Sequence, residues 1–571
     1  MKNREVAEIF NNIADILEIK EENPFRISAY RKAAQNIESL PKDIETVARK
    51  KKLTAIPGIG KDLAGKIEEY ISKGKIKLYE DLKRSVSKPV LELMAIPGVG
   101  PKTAKLLSEK LKVHSIKDLE KKASQGKIKD IFGIKEKTVT NILRGIGFLK
   151  KSEERTSLGQ AIKISDEIIS RLKKLSEVKK ASPAGSLRRM KETVRDIDIL
   201  ITSNKPRKVM EVFTRMPQVK EVLVHGPTKS SIITKSNVQV DVRVVEPSSF
   251  GSALCYFTGS KSHNIALRKM AVEKGLKINE YGVFKVKTNK KIAGTDEKDI
   301  YKALNLAYVP PEMREDTGEI ELALKNKLPR LVELKDIRGD IHVHSKNSDG
   351  ALSFEEIAST CQGLGYEYVI ITDHSKTLQV AGGLREKDLL KNVEKIRKLN
   401  KKFKRIRLLI GSEVDILADG RLDYKDSVLK ELDFVIGAIH SGFKQSREVL
   451  TRRTVKAMES RYVNMIAHPT GRLMGVRDPY EIDLEKVLKV AKETNTALEI
   501  NAYPERLDLD DNASRRAKEV GVMLGIATDA HRKEQFQNMA FGVSVARRGW
   551  LEKKNVLNTF GLESFLKKLK K

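Results

Sequence analysis

Two sets of residues in this sequence have the types and spacing to hold metal ions, and they differ in kind. The first is built from carboxylates alone. Asp196-Ile197-Asp198 opens an apolar run, DIDILIT, whose composition predicts a β-strand. Side chains alternate along a strand, so Asp196 and Asp198 share one face while Ile197 and Ile199 enter a core. A second run, Val238 to Val244, buries its valines on one face and turns Asp241 to the other. If the two strands pair, three carboxylates converge, and their repulsion requires a cation; oxygen-only donors suit Mg²⁺. Just upstream, Gly185 and Ser186 followed by Arg188 and Arg189 read as a phosphate cradle. A basic cradle beside such a site is what nucleotidyl transfer needs, with two ions on the attacking and leaving oxygens.

The second set is rich in histidine. Six of the nine histidines lie after residue 340, each at or just after an apolar run: His342, His344, His374, His440, His468 and His531. The HxH spacing puts His342 and His344 on one strand face, DxH does the same for Asp529 and His531, and Glu413 ends another run. Seven such runs, separated by amphipathic helical patterns such as 480–493 and 511–520, predict a parallel sheet. It should close as a seven-stranded relative of the (β/α)₈ barrel, whose active sites sit at the C-terminal strand ends. One histidine at a strand end is usually structural. Several polar strand ends meeting in one barrel mouth call for a metal cluster. Mixed imidazole and carboxylate donors suit Zn²⁺ or Mn²⁺, and the chemistry expected is phosphoester hydrolysis.

The elements that position these sets need more than one core, because 571 residues exceed what one core organises. The net charge of +33 and a pI near 9.7 point to a polyanion, most simply nucleic acid, although a lysine-rich, heat-adapted chain would share that charge. Two distant cysteines and no CxxC exclude a zinc ribbon and suit a reducing compartment. No secretion signal or apolar span is present, so a cytoplasmic protein without membrane contact is expected. Residues 3–18 carry apolar residues at helical spacing. The stretch Ala55-Ile56-Pro57-Gly58-Ile59-Gly60-Lys61 then recurs as Ala95-Ile96-Pro97-Gly98-Val99-Gly100-Pro101-Lys102. Each copy is a helix-hairpin-helix turn. Glycines Gly58, Gly60, Gly98 and Gly100 permit the tight turn, the next helix offers its amides to a DNA phosphate, and lysines such as Lys102 add affinity without reading sequence. Phe132-Gly133-Ile134-Lys135 carries a weak signal for a third, degenerate copy.

After the DxD stretch come Tyr256-Phe257-Thr258-Gly259-Ser260, then Asn264 and Arg268. With the paired hairpins, GSxRR, DxD and the later Asp, in this order, residues 1 to about 315 resemble the family X DNA polymerases, the family of DNA polymerase beta. The resemblance implies that Asp196, Asp198 and Asp241 hold two Mg²⁺ ions. It implies that Ser186 and Arg189 meet the nucleotide triphosphate, Tyr256 and Phe257 its sugar, Asn264 its base, and Arg268 the template minor groove, with Gly185 and Gly259 also in the nucleotide site. Alone, Tyr256 and Phe257 would read as core aromatics. Residues 1–85 resemble the small domain that in some members is a 5′-deoxyribose-phosphate lyase, with Lys66 at the nucleophile position. A second lysine of lyase-active members is Asp62 here, and Arg195 stands where the family usually has glycine.

Residues 336–571 resemble the PHP (polymerase and histidinol phosphatase) domain. That resemblance implies up to three ions held by His342, His344, Asp349, His374, Glu413, His440, His468, Asp529 and His531; Asp349 enters through the resemblance, from a loop. The expected architecture is multidomain: helical helix-hairpin-helix domains at 1–85 and 86–150, an α+β nucleotidyltransferase palm at 151–247, a nucleotide-selection subdomain at 248–315, a linker at 316–335 and a C-terminal (β/α)₇ barrel at 336–571. Together the halves resemble bacterial and archaeal repair polymerases of family X. This implies template-directed filling of short gaps, with gapped or primed DNA and dNTPs as partners, by a monomer. It also implies a 3′–5′ exonuclease, with 3′-phosphodiesterase and abasic-site endonuclease activities as further options. Two other readings stay open: a template-independent nucleotidyltransferase joined to a small-molecule phosphatase, and a DNA-binding scaffold with vestigial sites.

Overall fold

The computed structural model describes residues 3–38, 44–94, 99, 101–115, 118–119, 121–122, 125 and 155–569. The chain divides into two compact units, residues 1–155 and 156–571. In the first, the helix Asn3–Ile19 buries Val6, Phe10, Ile13 and Leu17 against Tyr30, Ala33 and Ile37 of the helix Pro24–Glu38. The first hairpin turn follows. Gly58 sits at φ +78, a left-handed conformation that favours glycine, and the Asn36 side-chain amide donates to the Pro57 carbonyl at 2.5 Å. Gly60 then caps the helix Lys61–Lys73. Helices Lys88–Met94 and Pro101–Leu111 flank the second turn, whose Gly98 and Gly100 lie outside the described residues, as does the third copy at 132–135.

In the second unit, a five-stranded mixed sheet is ordered Val178–Pro183, Asp196–Ser203, Gln239–Val245, Lys229–Thr234 and Val219–His225. Helices Leu158–Leu172 and Pro206–Thr214 share its core, burying Ile168, Leu172, Val209, Met210 and Phe213 with Ile197, Ile199, Val240 and Val242. At roughly 25 cal/mol per Å² of apolar surface, each such side chain contributes about 2 kcal/mol, enough to lock the strand register. In that register Asp198 lies opposite Asp241 on adjacent parallel strands. A small antiparallel sheet, Leu276–Asn279, Gly282–Lys285 and Lys291–Ala293, follows. The 316–335 connection is packed. It holds a helix, Glu319–Leu324, and Glu319 lies 2.6 Å from buried His263 Nδ1. His263 therefore serves structure rather than a site.

The last seven strands, Gly339–Val343, Tyr368–Ile371, Arg407–Asp415, Phe434–Ala438, Val463–Ile466, Ala497–Asn501 and Leu524–Ala527, pair in parallel in sequence order. A bridge from Val343 to Ala530 all but closes the barrel. Its strands are buried on both faces, so they read as unbroken apolar runs rather than alternating ones. Ile341, Ile370, Leu409, Ile436 and Met465 fill the interior, and the polar residues gather at the mouth.

Candidate active sites

In the palm, Asp198 is raised to about 7, first by burial and then by the charges of Asp196 and Asp241, with Lys229 and Arg243 opposing. Lys229 Nζ lies 3.6 Å from Asp241 Oδ2, and Gln239 Nε2 donates to Asp241 Oδ1 at 2.9 Å. Neither offsets the crowding around Asp198, which is the electrostatic signature of a site built for a cation. Gly185 completes one wall. Its φ is +60, and a β-carbon there would sit 2.5 Å from Asp198 Oδ2. The backbone of the cradle is thus pressed onto the carboxylate, and Ser186 follows it in the short helix Gly185–Arg188. Arg188 forms a two-pronged pair with Glu297, at 2.8 and 2.7 Å, and so braces the fold. Arg189 donates to the Thr258 carbonyl at 2.5 Å and to Glu315 at 3.1 Å. It lies beside Gly259, whose φ is +71.

The predicted nucleotide-facing residues cluster on the next elements. Tyr256 and Phe257 meet edge to face at 5.2 Å, and the Arg243 guanidinium lies 4.6 Å over the Phe257 ring. Tyr256 is exposed, so it is not the core aromatic its type would suggest. Asn264 donates to the Tyr256 carbonyl at 2.7 Å, and Arg268 donates to the Asn264 carbonyl at 3.3 Å. Arg195 is exposed and lacks the positive φ that would demand glycine.

The barrel mouth brings all nine PHP positions together. Glu413 is the hub. Its oxygens lie 2.9 Å from His374 Nδ1, 3.2 Å from His440 Nε2, 2.9 Å from His468 Nε2 and 3.4 Å from His342 Nε2. Asp529 Oδ1 lies 3.1 Å from His344 Nε2, and Asp349 Oδ2 lies 3.4 and 3.3 Å from His374 and His531. Three overlapping groups, His344/Asp349/His374/His531, His342/His344/Asp529 and His374/Glu413/His440, each converge closely enough to share one ion. Four buried imidazole nitrogens, His342 Nε2, both of His344 and His374 Nδ1, face carboxylate oxygens at 2.9 to 3.7 Å without an aligned hydrogen bond. Buried nitrogen lone pairs crowded against carboxylates in this way fit metal ligation. Burial and neighbouring imidazoles lower His344 to about 3, leaving it neutral. Burial also opposes charge on His374 and His440, but nearby carboxylates, Glu413 foremost, outweigh it and raise them to about 10 and about 9. Protons there occupy places that cations would take, so binding metal releases them. Two of the predicted ligands carry positive φ without being glycine, His468 at +27 and Asp529 at +53, and such strain clusters at functional sites.

Sequence reasoning missed the residues that aim the ligands. Glu499 lies 2.7 Å from His342 Nδ1 and accepts from the His468 amide at 2.6 Å, while Asp415 lies 3.0 Å from His440 Nδ1. Both fix ring orientation. A carboxylate inside the wholly buried strand Ala497–Asn501 was the available signal. At the other end of the chain, the Lys66 amine is bound to Asp62, so it is engaged as an ion-pair partner. Gly60 ends the first hairpin turn as the N-cap of the helix Lys61–Lys73, with open space where its β-carbon would be. Lys102 lies in the helix Pro101–Leu111.

Comparison with known proteins agrees with this architecture. Family profiles match a helix-hairpin-helix domain at 1–76, a SAM-like helix-hairpin-helix tandem at 90–147, the DNA polymerase beta thumb at 253–315 and the PHP domain at 340–503. The chain belongs to the family X DNA polymerases that carry a C-terminal PHP domain. Over its full length it is similar to the DNA polymerase/3′-5′ exonuclease PolX of Bacillus subtilis (strain 168), with 41% identity over 573 residues and 100% of both chains covered. A probable phosphatase of Thermoanaerobacter sp. (strain X514) is 30% identical over 38% of this chain and 89% of its own. DNA polymerase lambda of Rattus norvegicus is 25% identical over 51% of this chain and 52% of its own. Among the described residues, no helix is long and apolar enough to cross a membrane.

Proposed function

We propose that this protein fills short gaps in DNA by template-directed nucleotidyl transfer in its palm and trims 3′ ends in its PHP barrel. The observation that carries the polymerase reading is the register of Asp198 against Asp241, with Asp196 on the same strand and Gly185 pressed onto Asp198. Asp196, Asp198 and Asp241 would hold Mg²⁺, which supplies charge neutralisation at the transferring phosphoryl group. Ser186 and Arg189 bind the triphosphate, Tyr256 and Phe257 bracket the sugar, and Asn264 and Arg268 face base and template. The hairpin turns at Gly58/Gly60 and Gly98/Gly100 hold the duplex by its phosphates, which suits gapped or primed substrates of any sequence.

In the barrel, the nine PHP residues would hold up to three Mn²⁺ or Zn²⁺ ions, which polarise a phosphoester for hydrolysis. Glu499 and Asp415 keep the His342 and His440 rings turned toward the shared carboxylate. The Bacillus subtilis relative is named as both polymerase and 3′–5′ exonuclease, and this supports placing the second reaction here. 3′-Phosphodiesterase and abasic-site cleavage are phosphoester reactions of the same class, and we include them in the proposal. We place the protein in the cytoplasm as a monomer.

The test is a gapped, labelled duplex incubated with and without dNTPs, in Mg²⁺ and in Mn²⁺. Asp198→Ala should abolish extension and spare 3′ trimming, and His344→Ala should do the reverse. Full trimming by metal-controlled His344→Ala would remove the nuclease from the barrel. Extension independent of template would favour the transferase reading.

A further inference from the structure

Arg548 ends the helix Met539–Arg548 on the outside of the barrel, far in sequence from any polymerase motif. Its side chain is 4% exposed, so its charge must be matched by partners. Within the barrel it pairs with Asp511 at 2.5 Å. Its other partners belong to the polymerase half. Nη1 donates to Glu315 Oε1 at 3.2 Å and to the Arg189 carbonyl at 2.8 Å. Glu315 Oε1 also accepts from Arg189 Nε at 3.1 Å, and Lys191 Nζ lies 3.5 Å away. Burial disfavours the Glu315 carboxylate, but Lys191, Arg189 and Arg548 outweigh it and hold it ionised.

Arg548 therefore grips Arg189 twice, directly through its backbone and indirectly through the carboxylate on its side chain. Arg189 in turn reaches the carbonyl of Thr258, just before Gly259 and Ser260. The palm, the connection and the barrel lie in one compact unit. An arginine restrained at both ends loses little freedom when a ligand arrives, and that preorganisation appears as ground-state affinity.

We propose that Arg548 is a positioning residue for nucleotide binding, so that the PHP barrel forms the rear wall of the polymerase's nucleotide site. This rests on the reading of Arg189 as a triphosphate contact. Arg548 itself does not touch the nucleotide; it fixes the side chain that does.

The test uses the full chain on a gapped duplex, with KM for dNTP and kcat measured for Arg548→Met, Arg548→Lys, Glu315→Gln and Arg189→Met. Arg548→Met should raise KM about tenfold, the equivalent of one hydrogen bond to a charged group, with kcat changed by less than about threefold. Arg548→Lys, which keeps the charge and loses the fork, should recover part of that loss. Glu315→Gln combined with Arg548→Met should be no worse than either alone, because both act through Arg189. The 3′–5′ exonuclease of Arg548→Met should match wild type, which also reports an intact fold. If Arg548→Met is too unstable to assay, Arg548→Lys carries the test alone, and an unchanged KM overturns the proposal. Multiplying effects in the double variant overturn it too. An unchanged KM in Arg189→Met refutes the nucleotide contact itself, whereas a raised KM there with none in the Arg548 variants refutes only Arg548.

Discussion

Gly185→Ala should separate stability from catalysis in the palm. The new β-carbon would lie 2.5 Å from Asp198 Oδ2 but 3.4 Å from Cγ and 3.6 Å from Cβ, so only the carboxylate oxygen is too close. A carboxylate can swing away, and folding therefore loses little. The left-handed backbone at φ +60 adds roughly 1–2 kcal/mol for a residue with a β-carbon. The swing, however, moves a proposed metal ligand by on the order of 1 Å, and such misplacement costs about 10²-fold in rate. Single-turnover extension of a gapped duplex in Mg²⁺ should fall by about that factor. Melting should drop by only a few degrees, and the barrel's 3′ trimming should not change. Extension within threefold of wild type in a folded Gly185→Ala protein would refute the reasoning. It would mean that Asp198 need not hold its position against the cradle.

The remaining predictions concern burial and metal. Buried Glu297 is disfavoured by desolvation, yet Arg188 and Arg314 outweigh this and lower it from 4.5 to about 2. Its folded value lies below the unfolded one, so its contribution of about 3 kcal/mol is present above pH 4.5 and is lost as pH falls toward about 2. Melting temperature against pH should therefore decline more steeply across that window in wild type than in Glu297→Gln. Glu499→Gln should weaken metal binding in the barrel by about 10- to 100-fold, read by chelator competition, while extension in Mg²⁺ is unchanged. Equal metal retention would deny Glu499 its orienting role.

What could be read from the sequence was whatever periodicity encodes. A strand repeats every two residues, so Asp196 and Asp198 were bound to share a face. The barrel's seven runs were visible because parallel strands are buried on both faces. The edge strand Val178–Pro183 was not predicted, and its sequence explains why. VKKASP exposes both lysines, alternates nothing and ends in proline, so only pairing with Asp196–Ser203 makes it a strand. Arg195 stands where the family usually has glycine. A family glycine implies positive φ, yet here the residue is exposed at an ordinary φ, so arginine costs the backbone nothing.

Long-range charge pairing is what sequence patterns do not carry. No repeat connects Arg548 to Glu315, 233 residues away, or to Arg189, 359 residues away. Helix MAFGVSVARR ends in two arginines that suit its C-terminal dipole, and such a terminus is ordinarily a surface feature. Burial changes that account. A guanidinium this enclosed is tolerated only with carboxylates matched to it, and Asp511 supplies one of them from inside the barrel. The other, Glu315, comes from the polymerase half and is shared with Arg189. A helix presenting Arg548 to solvent would need neither, so the demand for Glu315 arises from the docking of barrel on palm. The same docking gives Arg189 a fixed place, although neither set of motifs encodes the other.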